Sequence, residues 1–320
     1  MAAHTLDVGQ GAATLGELPC AAVLVDTGGE KNDDFDSGRA LEAALDAFFA
    51  RRSDLDGTLA LLVITHPHID HTRNIGLVTG RYRVDNVVTN GQERGSGGPQ
   101  QRRLQTWARD HARLETIRSD AVPAGGRTST VIDPVVCAGV DPEVRVLWGE
   151  VVERPASWNK EAFDNANNHS VVVRLGFGRA SFLITGDLEQ AGAAALVSLH
   201  ARSRVLDVDV WQVSHHGAEN ALADGLLAAI TPVVSTVPSG PPWRERPSSA
   251  WEYGHPRWST VGTVAAATRG TRPARDVAAG VGKRAFERTR VKRAVYATGW
   301  DGAITVEADA SGRYQVRTAR

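Results

Sequence analysis

The chain has 320 residues, of which 42% are hydrophobic, so it is long enough to bury a substantial core. Its formal net charge is −1 at pH 7, which excludes the strongly basic composition of a chain that binds nucleic acid over its whole surface. The longest apolar run near the polar motifs, residues 59–64, is far shorter than the roughly 20 residues that span a bilayer. We therefore expect no membrane helix and no membrane partner.

The N-terminal residues carry no basic leader followed by an apolar stretch, so they do not resemble a secretory signal peptide. We expect a cytoplasmic protein on this ground. The sequence has two cysteines, Cys20 and Cys137, and each lies within an apolar run. This pattern favours reduced, buried thiols over a disulfide, and neither thiol is expected to bind a metal.

The first third of the chain alternates strand-type and helical patterns. Strands are predicted where short apolar runs end in turn residues, at 4–8, 21–26, 59–65 and 84–89. Apolar residues at helical spacing predict an amphipathic helix over residues 38–52 and a second helix over 99–114.

The second half repeats this alternation. Residues 170–185 predict a hairpin, and an alanine-rich helix follows over 188–200. Further elements are predicted in the order strand 205–213, helix 218–230, strand 233–237, helix 259–268, and strands 293–297 and 303–307. Residues 90–99 and 239–258 lack a regular pattern and predict long loops, which often carry function inside a compact domain.

Three predicted strands end in metal-binding side chains. The sequence HPHIDH at 66–71 follows the apolar strand 59–64 directly, Asp187 follows the strand at 180–185, and His215 and His216 close the strand at 205–213. Imidazoles and carboxylates are ligands of zinc, manganese and iron. A Gly-Asp pair alone also makes ordinary turns, but three such strand ends favour one shared site. The candidate metal ligands are His66, His68, Asp70, His71, Asp187 and His216.

Seven motifs in chain order resemble the hydrolase domain of ComEC-type competence proteins, within the metallo-β-lactamase superfamily. They are LDVGQG at 6–11, VDTG at 25–28, HPHIDH at 66–71, NNHS at 167–170, TGD at 185–187, SHHG at 214–217 and YGHP at 253–256. The resemblance covers nearly the whole chain. It implies an α/β (α+β) fold, a four-layer αββα sandwich formed by residues 1–320 as a single domain.

The resemblance also implies a centre of two divalent metal ions, zinc or manganese. The first ion is expected on His66 and His68, the second on Asp70, His71 and His216, with Asp187 between them. We favour His216 over His215 as the last ligand, because the superfamily usually places this ligand immediately before a glycine. The family's acid after the first glycine turn is Ala12 here, and a serine frequent after SHHG is Ala218, which indicates a difference in substrate handling.

Other residues are predicted to support catalysis rather than to bind metal. Asp70 is the candidate to orient the attacking water, His215 is a supporting residue or a proton donor, and His255 either contacts the substrate or leaving group or is structural. Supporting or substrate-contacting roles are predicted for Asp7, Asp26, Asn167, Asn168 and His169. For the two aspartates, simple stabilisation of a turn remains the alternative.

Residues 269–293 contain nine basic and two acidic residues. Two interpretations are open: an ordinary solvated loop and helix, or a surface that contacts phosphate, with Lys283 and Arg284 as candidate contacts.

The predicted function is metal-dependent hydrolysis of phosphodiester bonds in DNA. The first alternative is hydrolysis of a small phosphodiester, such as a cyclic nucleotide or a lipid head group. The second is a partner-regulated subunit that docks through the loop 239–258, which exposed Trp243, Trp251 or Trp258 would support.

Overall fold

The computed structural model describes all 320 residues, in which short strands and helices alternate. The strands are β1 Ala2–Thr5, β2 Thr14–Glu17, β3 Ala22–Val25, β4 Lys31–Asn32, β5 Phe35–Asp36, β6 Thr58–Leu59, β7 Leu61–Ile64, β8 Arg83–Val84, β9 Asn86–Thr89, β10 Arg113–Thr116, β11 Pro142–Trp148, β12 Val172–Phe177, β13 Ala180–Ile184, β14 Val210–Gln212, β15 Val234–Val237, β16 Thr271–Gly282, β17 Ala285–Arg293, β18 Val295–Ala297, β19 Ile304–Ala308 and β20 Tyr314–Thr318. The helices are α1 Ser37–Arg51, α2 Ile69–Thr72, α3 Ile75–Arg81, α4 Gly98–His111, α5 Lys160–Asp164, α6 Gln190–Leu199, α7 Leu226–Ile230, α8 Ala250–Tyr253, α9 Trp258–Ala267 and α10 Thr298–Asp301.

Two mixed sheets form the centre of the molecule. One has eight strands in the order β10-β9-β7-β3-β2-β1-β19-β20, and the other has six in the order β11-β12-β13-β14-β15-β18. Neighbours from β10 to β3 in the first sheet, and from β13 to β18 in the second, run parallel. The carboxyl ends of these strands therefore lie together at one edge of each sheet.

Three apolar clusters separate four layers. Val23, Val25 and Val63 point into a cluster between the two sheets, whereas their neighbours Leu24 and Leu62 point to the outer helices α1, α3 and α4. A third cluster joins the six-stranded sheet to α6, α7 and α9. Both faces of the parallel strands are buried, which explains their continuous apolar sequence. The predicted αββα sandwich is confirmed. None of its helices has the length and apolar content that crossing a bilayer requires.

Several predicted elements are shorter in the structure. The strand predicted at 205–213 is reduced to β14, and the helix predicted at 218–230 to α7. Leu206 and Val208 are buried, but as irregular chain rather than as a strand. The pattern missed β2, β10, β11 and β20. Of these, β10, β11 and β20 are edge strands with several exposed or half-exposed polar residues, so they lack the apolar run of a central strand.

The basic segment folds as an antiparallel ribbon of β16 and β17, so the interpretation as a loop and helix is wrong. Val277, Ala279 and Val291 are buried against the outer helix layer, and they alternate with exposed residues at the two-residue period of a strand. Because charged residues predominate in this segment, the two-residue period was not recognised in the sequence. We call β16, β17 and their connecting turn the basic ribbon.

The expectation of reduced thiols is also wrong. Cys20 and Cys137 are joined by a disulfide across 117 residues of sequence. Cys20 lies in the turn between β2 and β3, and Cys137 in the irregular segment before β11, so neither is in a strand. The two cysteines are brought together by the tertiary fold, which no local pattern reveals. Disulfides are typical of oxidising compartments, and the cytoplasmic location stays a prediction.

Candidate metal centre

The three ligand-bearing segments follow the carboxyl ends of parallel strands in both sheets. The HPHIDH segment follows β7 of the eight-stranded sheet, Asp187 follows β13, and His216 follows β14 of the six-stranded sheet. Because the two sheets pack face to face, these ends meet at one rim of the sandwich. Strand ends of this kind are where α/β folds place their functional side chains.

One half of the centre is a compact group of four side chains: Asp70, His71, Asp187 and His216. Their candidate ligand atoms all lie within 4.8 Å of one another. Oδ2 of Asp187 lies 3.2 Å from Nε2 of His71 and 3.3 Å from Nε2 of His216. Oδ2 of Asp70 lies 3.3 Å from the same His216 nitrogen.

The other half consists of His66 and His68. Nε2 of His66 lies 3.1 Å from Nδ1 of His68 and 3.9 Å from Oδ2 of Asp187. The same Asp187 oxygen therefore faces both halves, as expected of a bridging carboxylate. If Asp187 is counted in both halves, this half has one candidate ligand fewer than the other.

The residues fit a pair of divalent ions. Around a tetrahedral zinc with bonds of about 2.0–2.1 Å, neighbouring nitrogen or oxygen ligands lie about 3.3 Å apart, close to the separations within each half. Imidazole nitrogens and carboxylate oxygens suit zinc or manganese. Three imidazole nitrogens lie around the buried carboxylate of Asp187, and a cation between these groups would stabilise the arrangement.

Hydrogen bonds on the far side of each ring direct its other nitrogen into the centre. Nδ1 of His71 donates to Oδ2 of Asp26 over 2.7 Å, and Nδ1 of His216 donates to the carbonyl of Pro238 over 2.7 Å. Nδ1 of His66 faces the hydroxyls of Thr65 and Ser170 at 3.1 and 3.3 Å. In each of these three rings Nε2 is therefore the nitrogen that would bind a metal once its proton is displaced.

Asp26 is the support of His71. Its carboxylate is fully buried and also accepts hydrogen bonds from the Thr65 backbone N–H and hydroxyl, each over 2.8 Å. We expect Asp26→Asn to lower metal affinity by about 10- to 100-fold, because the amide no longer favours the Nδ1–H form of His71. Titration with a zinc indicator measures this. Unchanged affinity in a folded variant would contradict the supporting role.

Two glycines allow the HPHIDH turn to approach the neighbouring motifs. A Cβ on Gly28 would lie 1.6 Å from the backbone oxygen of Asp70, and one on Gly11 would lie 2.4 Å from it. The Asp70 carbonyl accepts a hydrogen bond from the Ala12 N–H, and the His71 carbonyl accepts one from the Thr27 N–H. The motifs at 6–11 and 25–28 therefore position the ligand turn through their backbones.

The charges of the centre are strongly coupled. Burial by itself raises the pKa of Asp187, yet the imidazoles of His216 and His71 hold that pKa well below its usual range. Burial likewise lowers the pKa of His216, but Asp187 and Asp70 outweigh it and raise that pKa to about 10. Asp187 and Asp26 also raise the pKa of His71 against the effect of burial.

These shifts predict proton release on metal binding. With raised pKa values, His71 and His216 carry protons at pH 7 that a metal must displace, so metal affinity should increase with pH as these protons become easier to remove. Calorimetric titration in buffers of different ionisation enthalpy should detect at least one proton released per bound metal pair. A metal affinity that stays constant from about pH 6 to about pH 8 would contradict the prediction.

An open cavity of about 540 Å³ lies beside the centre, lined by His215, His255, Tyr253, Arg257 and Lys283 among others. The rings of His215 and His255 each lie 6.3 Å from the ring of His216. A second cavity of about 390 Å³ shares Gln190 and Asn220 with the first. The two cavities are therefore neighbours on the same side of the molecule.

The predicted supporting residues Asn167 and Asn168 have different surroundings in the structure. Asn167 lies at the centre, where its amide nitrogen is 2.8 Å from Glu189 and 3.4 Å from Nε2 of His215, and its buried Oδ1 has no partner. Asn168 bonds the Ala162 carbonyl and the Gly192 N–H, so it joins helices rather than contacting substrate.

Two predicted supporting residues are corrected. Both ring nitrogens of His169 are used by the backbone, by the Val151 N–H and the Phe163 carbonyl, so neither is free to bind a metal. Asp7 accepts a hydrogen bond from Arg320 and contacts no ligand histidine. The backbone of its motif contacts the ligand turn, but the Asp7 side chain points towards the C-terminal residues.

The two predicted phosphate contacts also differ from each other. Lys283 is exposed and lines the cavity, whereas Arg284 pairs with Glu252 and covers the ring of Trp251. Sequence reasoning missed Thr65 and Ser170, which bond His66. Single hydroxyl residues beside a motif carry no signal that would separate them from ordinary turn residues.

Comparison with known proteins identifies the family of this chain. The profile described as the metallo-beta-lactamase superfamily matches residues 15–240. The chain is 24% identical over 251 residues to ComE operon protein 3 of Bacillus subtilis, covering 73% of this chain and 28% of that protein. It is 35% identical over 101 residues to Recombination protein 2 of Haemophilus influenzae, covering 31% of this chain and 12% of that protein.

Among solved structures, the metallo-beta-lactamase fold protein YhfI from Bacillus subtilis aligns with a TM-score of 0.41 and 10% identity, over 73% of this chain and 84% of that one. The chain spans less than a third of the length of either curated relative. The resemblance to ComEC-type proteins is confirmed, at low identity. By its matching profile over most of the sandwich, this chain belongs to the metallo-β-lactamase superfamily.

Proposed function

We propose that this hydrolase is a metal-dependent phosphodiesterase that cleaves DNA. The observation that carries the proposal is that the tip of the basic ribbon reaches the cavity beside the metal centre, where Lys283 lines the same cavity as His215 and His255. A phosphodiester in this cavity would meet a cationic side chain and the two histidines whose rings neighbour the candidate ligand His216.

Two bound divalent ions would supply a hydroxide at neutral pH and a positive charge for the phosphoryl oxygens. The chain's own residues would then orient the reactants. Asp70 has a partly exposed carboxylate and is placed to accept a hydrogen bond from the attacking water. Burial, together with His216 and His215, holds the pKa of His255 well below its usual range, so the ring is neutral and acts as a hydrogen-bond donor rather than as an acid.

The basic ribbon supports a polymeric substrate. Arg288, Arg290 and Lys292 are exposed and alternate along β17, which spaces them about 7 Å apart on its outward face. The only acidic partner in this row is Asp276, 3.9 Å from Arg290. Such a row of exposed cations suits a run of backbone phosphates.

The relatives point the same way. The name Recombination protein 2 describes a protein of DNA metabolism, and the matched segment of that protein includes only 101 residues. Because each relative is much longer than this chain, the DNA substrate remains a proposal for it.

Each of the two alternative functions is still favoured by an observation on this chain. A small phosphodiester is favoured by the near-neutral charge of the whole chain. A docking role for the loop 239–258 is favoured by Trp243 and Trp258, which are 63% and 39% exposed, although Trp251 is half-buried beneath Arg284.

The test is cleavage by purified chain stripped of metal and reloaded with manganese or zinc. Labelled single- and double-stranded DNA and bis(p-nitrophenyl) phosphate are the substrates. We expect metal-dependent cleavage of DNA. Hydrolysis of the small ester with intact DNA would replace the proposal by the first alternative, and no hydrolysis by metal-loaded chain would overturn it.

Removing one charge tests the phosphate contact. We expect Lys283→Ala to slow DNA cleavage several-fold and to reduce the salt dependence of DNA binding by about one unit of slope, because one phosphate contact is lost. Hydrolysis of the small ester should change little. Arg202→Ala, an exposed cation without an ion pair, is the matched control. Equal effects of both variants would contradict the assignment of Lys283.

A further inference from the structure

Gln10 is a buried polar residue that joins the LDVGQG turn to the loop 239–258. Its side chain is 2% exposed, and its amide nitrogen lies 3.2 Å from Nδ1 of His255. Its amide oxygen accepts a hydrogen bond from the backbone N–H of Gly240 over 3.4 Å. Neither contact was expected from the sequence, where Gln10 was only part of a motif.

The Gly240 contact fixes the direction of the amide. A backbone N–H can only donate, so it faces the amide oxygen, and the NH₂ group of Gln10 therefore faces His255. Because the NH₂ group donates, Nδ1 of His255 must accept, and the proton of the neutral ring is on Nε2. That nitrogen has no hydrogen-bond partner in the protein, and the ring lines the cavity.

A buried ion pair holds Gln10 from the opposite side. Oε2 of Glu30 accepts hydrogen bonds from the Gln10 backbone N–H over 3.1 Å and from Arg244 over 2.8 Å. The guanidinium of Arg244 lies over the ring of Phe35, 4.1 Å from its centroid. Gly240 packs against the same group, since a Cβ there would lie 3.0 Å from both the Gln10 nitrogen and Oε2 of Glu30. The amide has little freedom to turn.

We infer that Gln10 is a positioning residue: its amide selects the Nε2–H tautomer of His255 and aims that N–H into the cavity, at an oxygen of the bound substrate. This role rests on the proposed hydrolysis of a phosphodiester at this site. A neutral imidazole held in this way stabilises negative charge on a phosphoryl or leaving oxygen without transferring its proton.

The tautomer is tested without substrate. In the whole chain, labelled with ¹⁵N-histidine, the two-bond ¹H–¹⁵N correlations of His255 should show the Nε2–H form, with and without zinc. Gln10→Met keeps the length of the side chain and removes its polar atoms, so it should give a mixture of tautomers. Gln10→Glu should reverse the preference, because a carboxylate accepts from Nδ1–H. An Nδ1–H ring in the unaltered chain, or a tautomer that neither variant changes, would overturn the inference.

A double-mutant cycle separates positioning from a general role in stability. We expect Gln10→Met to lower kcat about tenfold with little change in KM, because the donor is misdirected in the transition state. In the His255→Ala background the same change should have almost no further effect. Equal losses in both backgrounds would show a structural role and would overturn the inference.

Two controls complete the design. Gln315→Met alters an exposed glutamine on β20 and should leave kcat and KM unchanged. His255→Gln retains an N–H donor and should recover part of the activity lost in His255→Ala. Because the NMR experiment needs no turnover, an Nε2–H ring in a chain that cleaves no phosphodiester would reject the proposed function and leave the tautomer assignment standing.

Discussion

Asp187→Ala should remove most of the metal-dependent activity of this chain, lowering kcat/KM by at least about 10³-fold, or ~4 kcal/mol of transition-state stabilisation. The reason is that one oxygen of this carboxylate faces both halves of the centre, at 3.2 Å from His71 and 3.9 Å from His66. Its loss also leaves the buried imidazoles of His71 and His216 without their main counter-charge. Metal analysis after gel filtration should find two ions in the unaltered chain and at most one in the variant.

Asp224→Ala is the matched control, because Asp224 is exposed and makes no ion pair. It should keep both ions and full activity. If Asp187→Ala folded, as judged by circular dichroism, and kept both ions, the assignment of Asp187 as the bridging ligand would be wrong.

Among substitutions that add a single methyl group to a glycine of this chain, we expect Gly28→Ala to lower the stability most. The added Cβ would lie 1.6 Å from the backbone oxygen of Asp70 and 2.3 Å from the nitrogen of His71, and backbone atoms cannot move aside as a flexible side chain can. We expect a loss of about 3 kcal/mol or more in the free energy of unfolding, and displacement of the turn that carries Asp70 and His71. Urea denaturation and zinc titration measure the two effects.

Gly76→Ala provides the comparison within the same region. Gly76 lies in α3 and a Cβ there meets no atom within 4 Å, so alanine should stabilise the helix by about 0.5–1 kcal/mol. Equal stability of the two variants would show that the turn tolerates displacement, and would remove the reason given for the glycine of the VDTG motif.

The sequence predicted the central strands and the ligand types because both leave local signals, and the family resemblance of its motifs implied the fold. Strands such as β3 and β7 are buried on both faces, so their apolar runs are continuous and easily recognised. The histidines and aspartates of 66–71, 187 and 216 interrupt that apolar pattern at strand ends, where metal ligands are expected. Helix α1 was predicted within one residue at each end, because Leu41, Leu45, Phe48 and Phe49 recur at helical spacing.

Other features depend on atoms far apart in sequence. The contact of Gln10 with His255 joins residues 245 positions apart, and the disulfide joins cysteines 117 apart. His169 lies in a family motif and yet turns away from the site, because two backbone groups use its ring.

What the sequence alone determined is therefore most of the central strands and the residue types of the candidate metal centre, since period and residue type are local properties, while the sandwich itself was implied by the resemblance of seven motifs to a known family. The tertiary structure alone decided which supporting residues face the centre. In the structure Asp26 bonds His71 and Asp7 bonds Arg320, although each aspartate precedes a similar glycine turn. The physical reason is that the direction of a side chain depends on hydrogen-bond partners from segments distant in sequence, here the residues after β7 and after β20 of the same sheet, which are brought close only when the chain folds.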